Sequence, residues 1–225
     1  MANRKFIHDS MPQDFYDSFN NFIFARETKV LDKLVSKYKF LELTRNVPGD
    51  VVELGVFKGS GLAAWLKLSK SAGLRRTIYG FDIFDSESLV KNITTSDRDL
   101  MESLFKDREF NPQGYLEILE TKLSDLEFSN FHLLKGDIQE TIPLFLESNP
   151  GFRASVVNFD LDTFEPTYFA LEQLWDRVVP GGVLIFDEYG INEWTESDAV
   201  DKFLSDKNQV LQYTNYFSPS AFVIK

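Results

Sequence analysis

The sequence predicts an α/β protein with a mostly parallel sheet covered by helices on both faces. From Asp50 onward, short apolar runs alternate with stretches of helical periodicity, which is typical of such sheets. Two of these runs end in acidic doublets, Asp160-Leu161-Asp162 and Asp187-Glu188. Because open α/β sheets bind ligands beyond the carboxyl ends of their strands, we expect a functional site at that edge.

Seven strands are predicted, each from a short run rich in apolar residues. They are expected at residues 50–54, 77–82, 131–134, 154–159, 182–186, 209–213 and 221–224. Helices are expected between them, at residues 60–71, 139–148, 167–177 and 195–205. Asn111-Pro112 has the residue types of an N-cap and first helical position, so a further helix is expected there.

Residues 11–45 are aromatic and amphipathic with helical spacing, and Pro48-Gly49 ends the pattern. We expect the apolar side chains of this region to join the core or to cover an interface. These side chains are Phe15, Phe19, Phe22, Ile23, Val30, Leu31, Leu34, Val35 and Tyr38. Residues 1–47 are therefore predicted to form a helical extension that acts as a cap or as a contact in a homo-oligomer.

The composition excludes several classes of function. The formal net charge is −11 without a dense block of lysine and arginine, so no nucleic-acid partner is expected. The absence of cysteine excludes disulfides, thiolate metal sites and cysteine nucleophiles. No apolar run approaches the ~18 residues of a membrane span, and no signal peptide is recognisable. We therefore expect a cytoplasmic protein with no membrane partner.

The two acidic doublets indicate a metal site. If strands 154–159 and 182–186 are parallel neighbours, four carboxylates converge at their ends. Carboxylates packed that closely repel one another and cannot all stay ionised without a counter-charge. A hard divalent cation with oxygen ligands is the simplest counter-charge. Solvated acids in two loops remain the alternative.

A glycine-bearing turn follows the first strand, between Glu53 and Gly61. Glycine lets the backbone approach a cofactor closely, and the N-terminus of the following helix favours electron-rich groups. The spacing is neither that of a dinucleotide-binding GxGxxG motif nor that of a P-loop. Asp82 ends the second strand, where an acid can accept hydrogen bonds from a ribose diol.

Gly136, Asp137 and Ile138 follow the third strand at the same edge. Asp137 can hold the exocyclic amine of an adenine while Ile138 packs against its face, or Asp137 can be a simple helix cap. Together with the glycine turn and Asp82, they predict a nucleoside-bearing cofactor that is neither NAD nor ATP.

Residues 45–205 resemble the macrocin (TylF-like) sugar O-methyltransferases, a family of class I S-adenosylmethionine-dependent methyltransferases. The resemblance is carried by residues 48–59, residues 79–84 and the run from Asp160 through Pro180-Gly181-Gly182 to Tyr189. It implies a Rossmann-like class I methyltransferase fold, with residues 48–225 as the methyltransferase domain. The chain departs from the family pattern after Phe84 and before Ala199, both near where an acceptor should bind.

The resemblance implies methyl transfer from S-adenosylmethionine to a hydroxyl of a sugar or sugar-bearing small molecule. Asp160, Asp187 and Glu188 are expected to hold Mg²⁺ or a similar divalent cation. Asp162 is the expected general base, and Asp160 can exchange roles with it. The cofactor is expected at Glu53, Gly55, Lys58, Ser60, Asp82, Gly136, Asp137 and Ile138. Residues 85–110 are expected to close over the substrate as a lid.

Two other functions remain open. A glycosyltransferase can use Asp160-Leu161-Asp162 as a metal-binding DxD motif for a nucleotide sugar, but this leaves Asp82 and the second doublet without a role. A non-catalytic protein with a methyltransferase-like fold can bind a partner through the aromatic N-terminal region.

Overall fold

The computed structural model describes residues 12–84, 97–99, 102–103 and 114–225. Their strands are β1 (Asp50–Leu54), β2 (Ile78–Asp82), β3 (Phe131–Lys135), β4 (Ala154–Phe159), β5 (Val178–Phe186), β6 (Gln212–Tyr213) and β7 (Ala221–Ile224). The helices described from end to end are α1 (Gln13–Ile23), α2 (Lys29–Leu43), α3 (Ser60–Ser71), α4 (Tyr115–Asp125), α5 (Ile138–Ser148), α6 (Phe164–Leu174) and α7 (Glu196–Leu204). A single 3₁₀ turn, Trp175–Arg177, follows α6.

The seven strands form one sheet in the order β3-β2-β1-β4-β5-β7-β6. Strands β1 to β5 run parallel, and β7 lies antiparallel between β5 and β6. Phe159 at the end of β4 pairs with Phe186 at the end of β5. The predicted mostly parallel sheet is therefore confirmed, as is the pairing of the two strands that carry the acidic doublets.

Alternating strand residues contribute to two separate cores, one on each face of the sheet. Val52 and Leu54 pack with residues of α5, α6 and α7. Val51 and Val156 pack on the opposite face with residues of α2, α3 and α4. All four side chains are fully buried, which explains why the central strands appear in the sequence as continuous apolar runs.

Backbone hydrogen bonds continue past the strand ends at the carboxyl edge. The Gly55 N–H donates to the carbonyl of Phe81, and the Asp160 N–H donates to that of Leu54, both at 2.9 Å. The Asp187 N–H donates to the Phe159 carbonyl at 3.0 Å. The residues that follow the strands are therefore held in fixed relative positions.

Several element boundaries differ from the prediction, among them the start of β6 at Gln212 rather than at residue 209. Two of the differences are accompanied by long-range contacts. Helix α6 begins at Phe164 rather than at residue 167, because Thr195 Oγ1 accepts a hydrogen bond from the Phe164 N–H at 2.8 Å. Strand β5 begins at Val178 rather than at residue 182, and the Gly181 N–H donates to the carbonyl of Lys225. Both partners lie far away in the sequence.

Eight of the nine apolar side chains that were expected in the core or at an interface are exposed, so the core alternative is wrong for them, although Phe40 and Leu41 of α2 do lie in the core. No residue of α1 is buried, and Phe15, Phe19 and Val35 keep 53%, 55% and 45% of their surface exposed. The face of α2 that carries lysines is turned toward the sheet instead. An interface role for the apolar face stays a prediction.

No helix among the described residues is long and apolar enough to cross a membrane.

Gly55 sets the separation between the turn after β1 and the loop after β4. It has φ +87°, and a Cβ at this position would lie 1.9 Å from the carbonyl oxygen of Asp160. We expect Gly55→Ala to displace the Asp160 loop and to lower the free energy of unfolding by more than about 2 kcal/mol, measured by urea denaturation. Gly73→Ala is the matched control, since Gly73 has φ +70° but open space around it. Equal losses in the two variants would contradict this steric explanation.

Candidate active site

The two acidic doublets converge at the carboxyl edge of the sheet. Asp160 follows β4, and Asp187 and Glu188 follow the neighbouring strand β5. Each of these three residues places one carboxylate oxygen within 4.8 Å of the others. This geometry fits the predicted set of metal ligands, and their role as ligands stays a prediction.

Lysines of α2 supply a counter-charge that the sequence analysis did not anticipate. Lys33 Nζ lies 3.1 Å from Asp160 Oδ2 and 2.7 Å from Asp187 Oδ2, and Lys29 Nζ lies 3.0 Å from Glu188 Oε1. The two lysines are four residues apart and therefore share one face of the helix. This spacing is visible in the sequence and could have indicated a basic face of the helix. The carboxylates are thus partly neutralised by the protein itself, so their repulsion alone does not require a metal.

The pKa values of Lys33, Asp187 and Asp160 are shifted by their mutual contacts and by burial. Burial raises the pKa of the Asp187 carboxyl, but Lys33, Ser218 and Lys37 together lower it by more, so the result lies below the usual range. Burial lowers the pKa of Lys33, but Asp160 and Asp187 together raise it further, and the result lies above the usual range. Burial and the charge of Asp187 raise the pKa of Asp160, and Lys33 offsets only part of this.

Asp162 has the properties expected of a general base. Burial, followed by the charges of Glu188 and Asp187, raises the pKa of its carboxyl to about 7. A carboxyl with that pKa can take up and release a proton near neutral pH. Its backbone has φ +64°, a conformation that aspartate tolerates better than most residues. The loop after β4 therefore turns sharply at this side chain.

Glu196 is a buried acid of this site that the sequence analysis missed. It is the first residue of α7 and has no exposed surface. Its Oε1 accepts a hydrogen bond from the Glu188 N–H at 3.0 Å, and its own N–H donates to the Asp162 carbonyl at 3.2 Å. Burial, followed by the charges of Asp162 and Asp187, raises its pKa well above the usual range. Glu196 therefore connects the two acidic loops.

Thr195 connects the same region to the segment predicted as a lid. Its hydroxyl donates to Asp97 Oδ2 at 2.6 Å, and Asp97 is buried. The other parts of the predicted lid, residues 85–96, 100–101 and 104–110, lie outside the described residues. The lid stays a prediction.

Glu53 lies inside the protein beside the glycine turn. Its Oε1 is 3.0 Å from Lys37 Nζ, which lies 4.4 Å from the centre of the Trp65 ring. Burial raises the pKa of Glu53, and Lys37 lowers it only in part. Glu53 Oε2 has no hydrogen-bond partner among the described residues. A Cβ on Gly61 would lie 2.3 Å from Oε1, so a larger residue there would have to displace the Glu53 carboxylate.

Asp82 organises the glycine turn. Its Oδ2 accepts hydrogen bonds from the N–H groups of Val56 and Phe57, each at 2.8 Å, and its Oδ1 accepts one from Phe84 at 2.8 Å. Burial raises its pKa, and these N–H groups lower it only in part. The turn was predicted, but this contact was not. Contact of Asp82 with a ribose stays a prediction.

The turn after β3 lies beside Asp82. The Gly136 N–H donates to the carbonyl of Asp82 at 3.0 Å. Asp137 Oδ1 accepts a hydrogen bond from the Gln139 N–H at 2.9 Å, which confirms the alternative that it caps a helix. Ile138 is almost fully buried in the core. Contacts of these residues with an adenine stay predictions.

Lys58 and Ser60 are exposed where the glycine turn enters α3. The carbonyl of Lys58 accepts a hydrogen bond from the Tyr115 hydroxyl at 3.2 Å. All eight residues predicted to bind the cofactor thus lie in the turns after β1, β2 and β3 or in the residues that flank them.

Sequence comparison shows which proteins the chain is similar to. The family model for Macrocin-O-methyltransferase (TylF) matches residues 29–213. The "8-demethyl-8-(2,3-dimethoxy-alpha-L-rhamnosyl)-tetracenomycin-C 4'-O-methyltransferase" of Streptomyces olivaceus is 29% identical over 156 residues, which are 67% of this chain and 56% of that protein. "Mycinamicin III 3''-O-methyltransferase" of Micromonospora griseorubida is 29% identical over 157 residues, or 66% and 58%. The chain thus spans less than two thirds of the length of these relatives.

Structural comparison supports the fold. The crystal structure of CalS11, a calicheamicin methyltransferase, superimposes with a TM-score of 0.75 at 26% identity, over 96% of this chain and 87% of that one. The predicted Rossmann-like class I methyltransferase fold is therefore confirmed. The family match begins at the first residue of α2 and ends with β6, and the chain therefore belongs to the macrocin-O-methyltransferase (TylF) family.

Proposed function

We propose that the protein is a metal-dependent O-methyltransferase that moves a methyl group from S-adenosylmethionine to a hydroxyl of a sugar or sugar-bearing small molecule. The observation that carries this proposal is the convergence of Asp160, Asp187 and Glu188 beside Asp162. The membership of the family supports the reaction type. The name of the Streptomyces olivaceus relative, which includes a rhamnosyl group, supports the acceptor class.

The residues at the edge of the sheet fit S-adenosylmethionine, which supplies a methyl group on a positively charged sulfur when it is bound. Glu53 Oε2 is a buried acceptor without a described partner, and it faces a turn built with glycine. We assign Glu53, Gly55, Lys58 and Ser60 to the methionine end. Asp82, Gly136, Asp137 and Ile138 are assigned to the adenosine end.

The acidic cluster fits a divalent cation. Three carboxylate oxygens within 4.8 Å of one another form a hard, anionic donor set, and Mg²⁺ prefers such oxygen ligands. A cation held there would lower the pKa of the acceptor hydroxyl. The four carboxylates outnumber the two lysines beside them, so a divalent cation that favours their ionised forms would balance the charge that the lysines leave.

Asp162 takes the hydroxyl proton in this proposal. Its carboxyl lies beside the proposed ligands without belonging to their set, and its pKa of about 7 leaves a large ionised fraction at neutral pH. Asp187 holds Lys33, while Glu196 fixes the loops that carry Asp162 and Glu188. The two alternatives, a DxD glycosyltransferase and a non-catalytic binding protein, are not favoured by the family match.

Calorimetry tests the cofactor class directly. The full chain is titrated with S-adenosylhomocysteine in the presence of MgCl₂ and is expected to bind it. In a separate titration, nucleoside-diphosphate sugars are expected to give no heat of binding. Tight binding of a nucleoside-diphosphate sugar without binding of S-adenosylhomocysteine would favour the glycosyltransferase. Binding of neither would favour the non-catalytic alternative.

Substitution of the acids separates the ligands from the base. Asp160→Asn is expected to lose both Mn²⁺ binding and methyl transfer, because it removes one anionic ligand. Asp162→Asn is expected to keep Mn²⁺ binding and to lower kcat by at least about 100-fold, which is the low end for loss of a general base. Metal binding is measured by calorimetry, and turnover with an acceptor used by the wild type.

Asp176→Asn is the control for the loss of one carboxylate, since Asp176 is exposed in the 3₁₀ turn that precedes β5, away from the carboxyl edge of the sheet. Normal turnover by Asp162→Asn would refute its role as base. Full activity of the metal-stripped wild type in EDTA would refute the metal role.

Glu196 is expected to act as a positioning residue. Glu196→Ala leaves the buried Glu188 N–H without its acceptor, which should cost about 1–3 kcal/mol of unfolding free energy. It should also weaken Mn²⁺ binding by about tenfold or more, as loss of support behind a metal ligand does. Glu196→Gln keeps an acceptor oxygen and should restore both properties. Unfolding is followed in urea and binding by calorimetry, with exposed Glu193→Ala as control. Wild-type metal affinity in Glu196→Ala would argue against this role.

A further inference from the structure

Lysines at every fourth position of α2 meet carboxylates at the sheet edge. Lys29 contacts Glu188, Lys33 contacts Asp160 and Asp187, and Lys37 contacts Glu53. Among these three lysines, Lys33 alone contacts two of the proposed metal ligands. Its position therefore bears directly on how the acidic cluster takes up a cation.

Lys33 and a divalent cation require the same carboxylates. The ammonium is 2.7 Å from Asp187 Oδ2 and 3.1 Å from Asp160 Oδ2, whereas Mg²⁺ binds carboxylate oxygens at about 2.0–2.1 Å. Two cations that share a pair of carboxylates repel each other strongly at such distances. Full contact of both with Asp160 and Asp187 is therefore unfavourable.

Lys33 is able to leave the cluster. Its side chain keeps 29% of its surface exposed, compared with 8% for Lys37. Lys37 is also held over the ring of Trp65. A lysine has a flexible four-carbon stem, so its ammonium can move to solvent while the helix stays in place.

We infer that Lys33 is an internal counter-cation, which neutralises Asp160 and Asp187 in the metal-free protein and gives up these contacts when a divalent cation binds. This inference rests on the proposed metal role. It has two consequences. Lys33 stabilises the metal-free protein, and it weakens the affinity of the site for metal because its contacts must be broken first.

The test compares Mn²⁺ binding and thermal unfolding in the wild type, Lys33→Met and Lys39→Met, each as the metal-stripped full chain. Methionine keeps the apolar stem and removes the charge. Lys39 is exposed on the same helix and lies over the ring of Tyr216 at 5.6 Å, so Lys39→Met controls for the loss of one positive charge. Mn²⁺ binding is measured by calorimetry. The Tm is measured first in EDTA and then in excess MnCl₂.

Lys33→Met is expected to bind Mn²⁺ at least about tenfold more tightly than the wild type, and Lys39→Met to bind like the wild type. In EDTA the Tm of Lys33→Met should be lower than that of the wild type. Addition of Mn²⁺ should then raise the Tm of Lys33→Met by more than it raises the Tm of the wild type. Lys33→Gln should also bind Mn²⁺ more tightly than the wild type, and it replaces Lys33→Met in the test if Lys33→Met does not fold.

Unchanged or weaker Mn²⁺ binding in a folded Lys33 variant, with binding by the wild type, would overturn the inference and leave the proposed metal site intact. Equal tightening in Lys39→Met would overturn it as well, because net charge would then explain the effect. Absence of Mn²⁺ binding in all variants would overturn both the metal role and the inference.

Discussion

The balance between buried carboxylates and the lysines of α2 is the constraint on which the site depends. Parallel pairing of β4 and β5 brings Asp160 and Asp187 together, and at this separation two carboxylates cannot both remain ionised without positive charge nearby. Lys33 supplies that charge through one side chain. The helix that precedes the first strand is therefore part of the site.

The turns of the sheet edge provide the second requirement, a fixed geometry between the glycine turn and the acidic loops. Backbone hydrogen bonds join the residues that follow β1, β4 and β5 to the neighbouring strand ends. Asp82 draws the N–H groups of Val56 and Phe57 inward, while Glu196 holds the N–H of Glu188. Carboxylates thus have two roles at this edge. Some accept hydrogen bonds from backbone N–H groups, and others are the proposed metal ligands and general base.

The sequence predicts the parts of this structure that depend on local pattern, and it fails where distant residues decide. The buried strands are visible as apolar runs, and the convergence of the doublets follows from the parallel order. The predicted start of α6 was wrong because the Thr195 hydroxyl, which accepts the hydrogen bond of the Phe164 N–H, lies 31 residues away. Glu196 has the residue type and position of an ordinary acid in the first turn of a helix. The inward face of α2 was missed mainly because two of its lysines, Lys33 and Lys29, contact residues that lie 127 and 159 positions away.

Those long separations have a consequence for folding. During synthesis α2 leaves the ribosome 127 to 159 residues before the carboxylates that receive Lys33 and Lys29. At a synthesis rate of about 5–20 residues per second, these carboxylates are made on the order of ten seconds after the helix. Lys33 and Lys29 can complete their contacts only after β4 and β5 have been made, whereas Glu53, the partner of Lys37, lies only 16 residues away. This part of the candidate active site therefore depends on non-local contacts, which are slow to form.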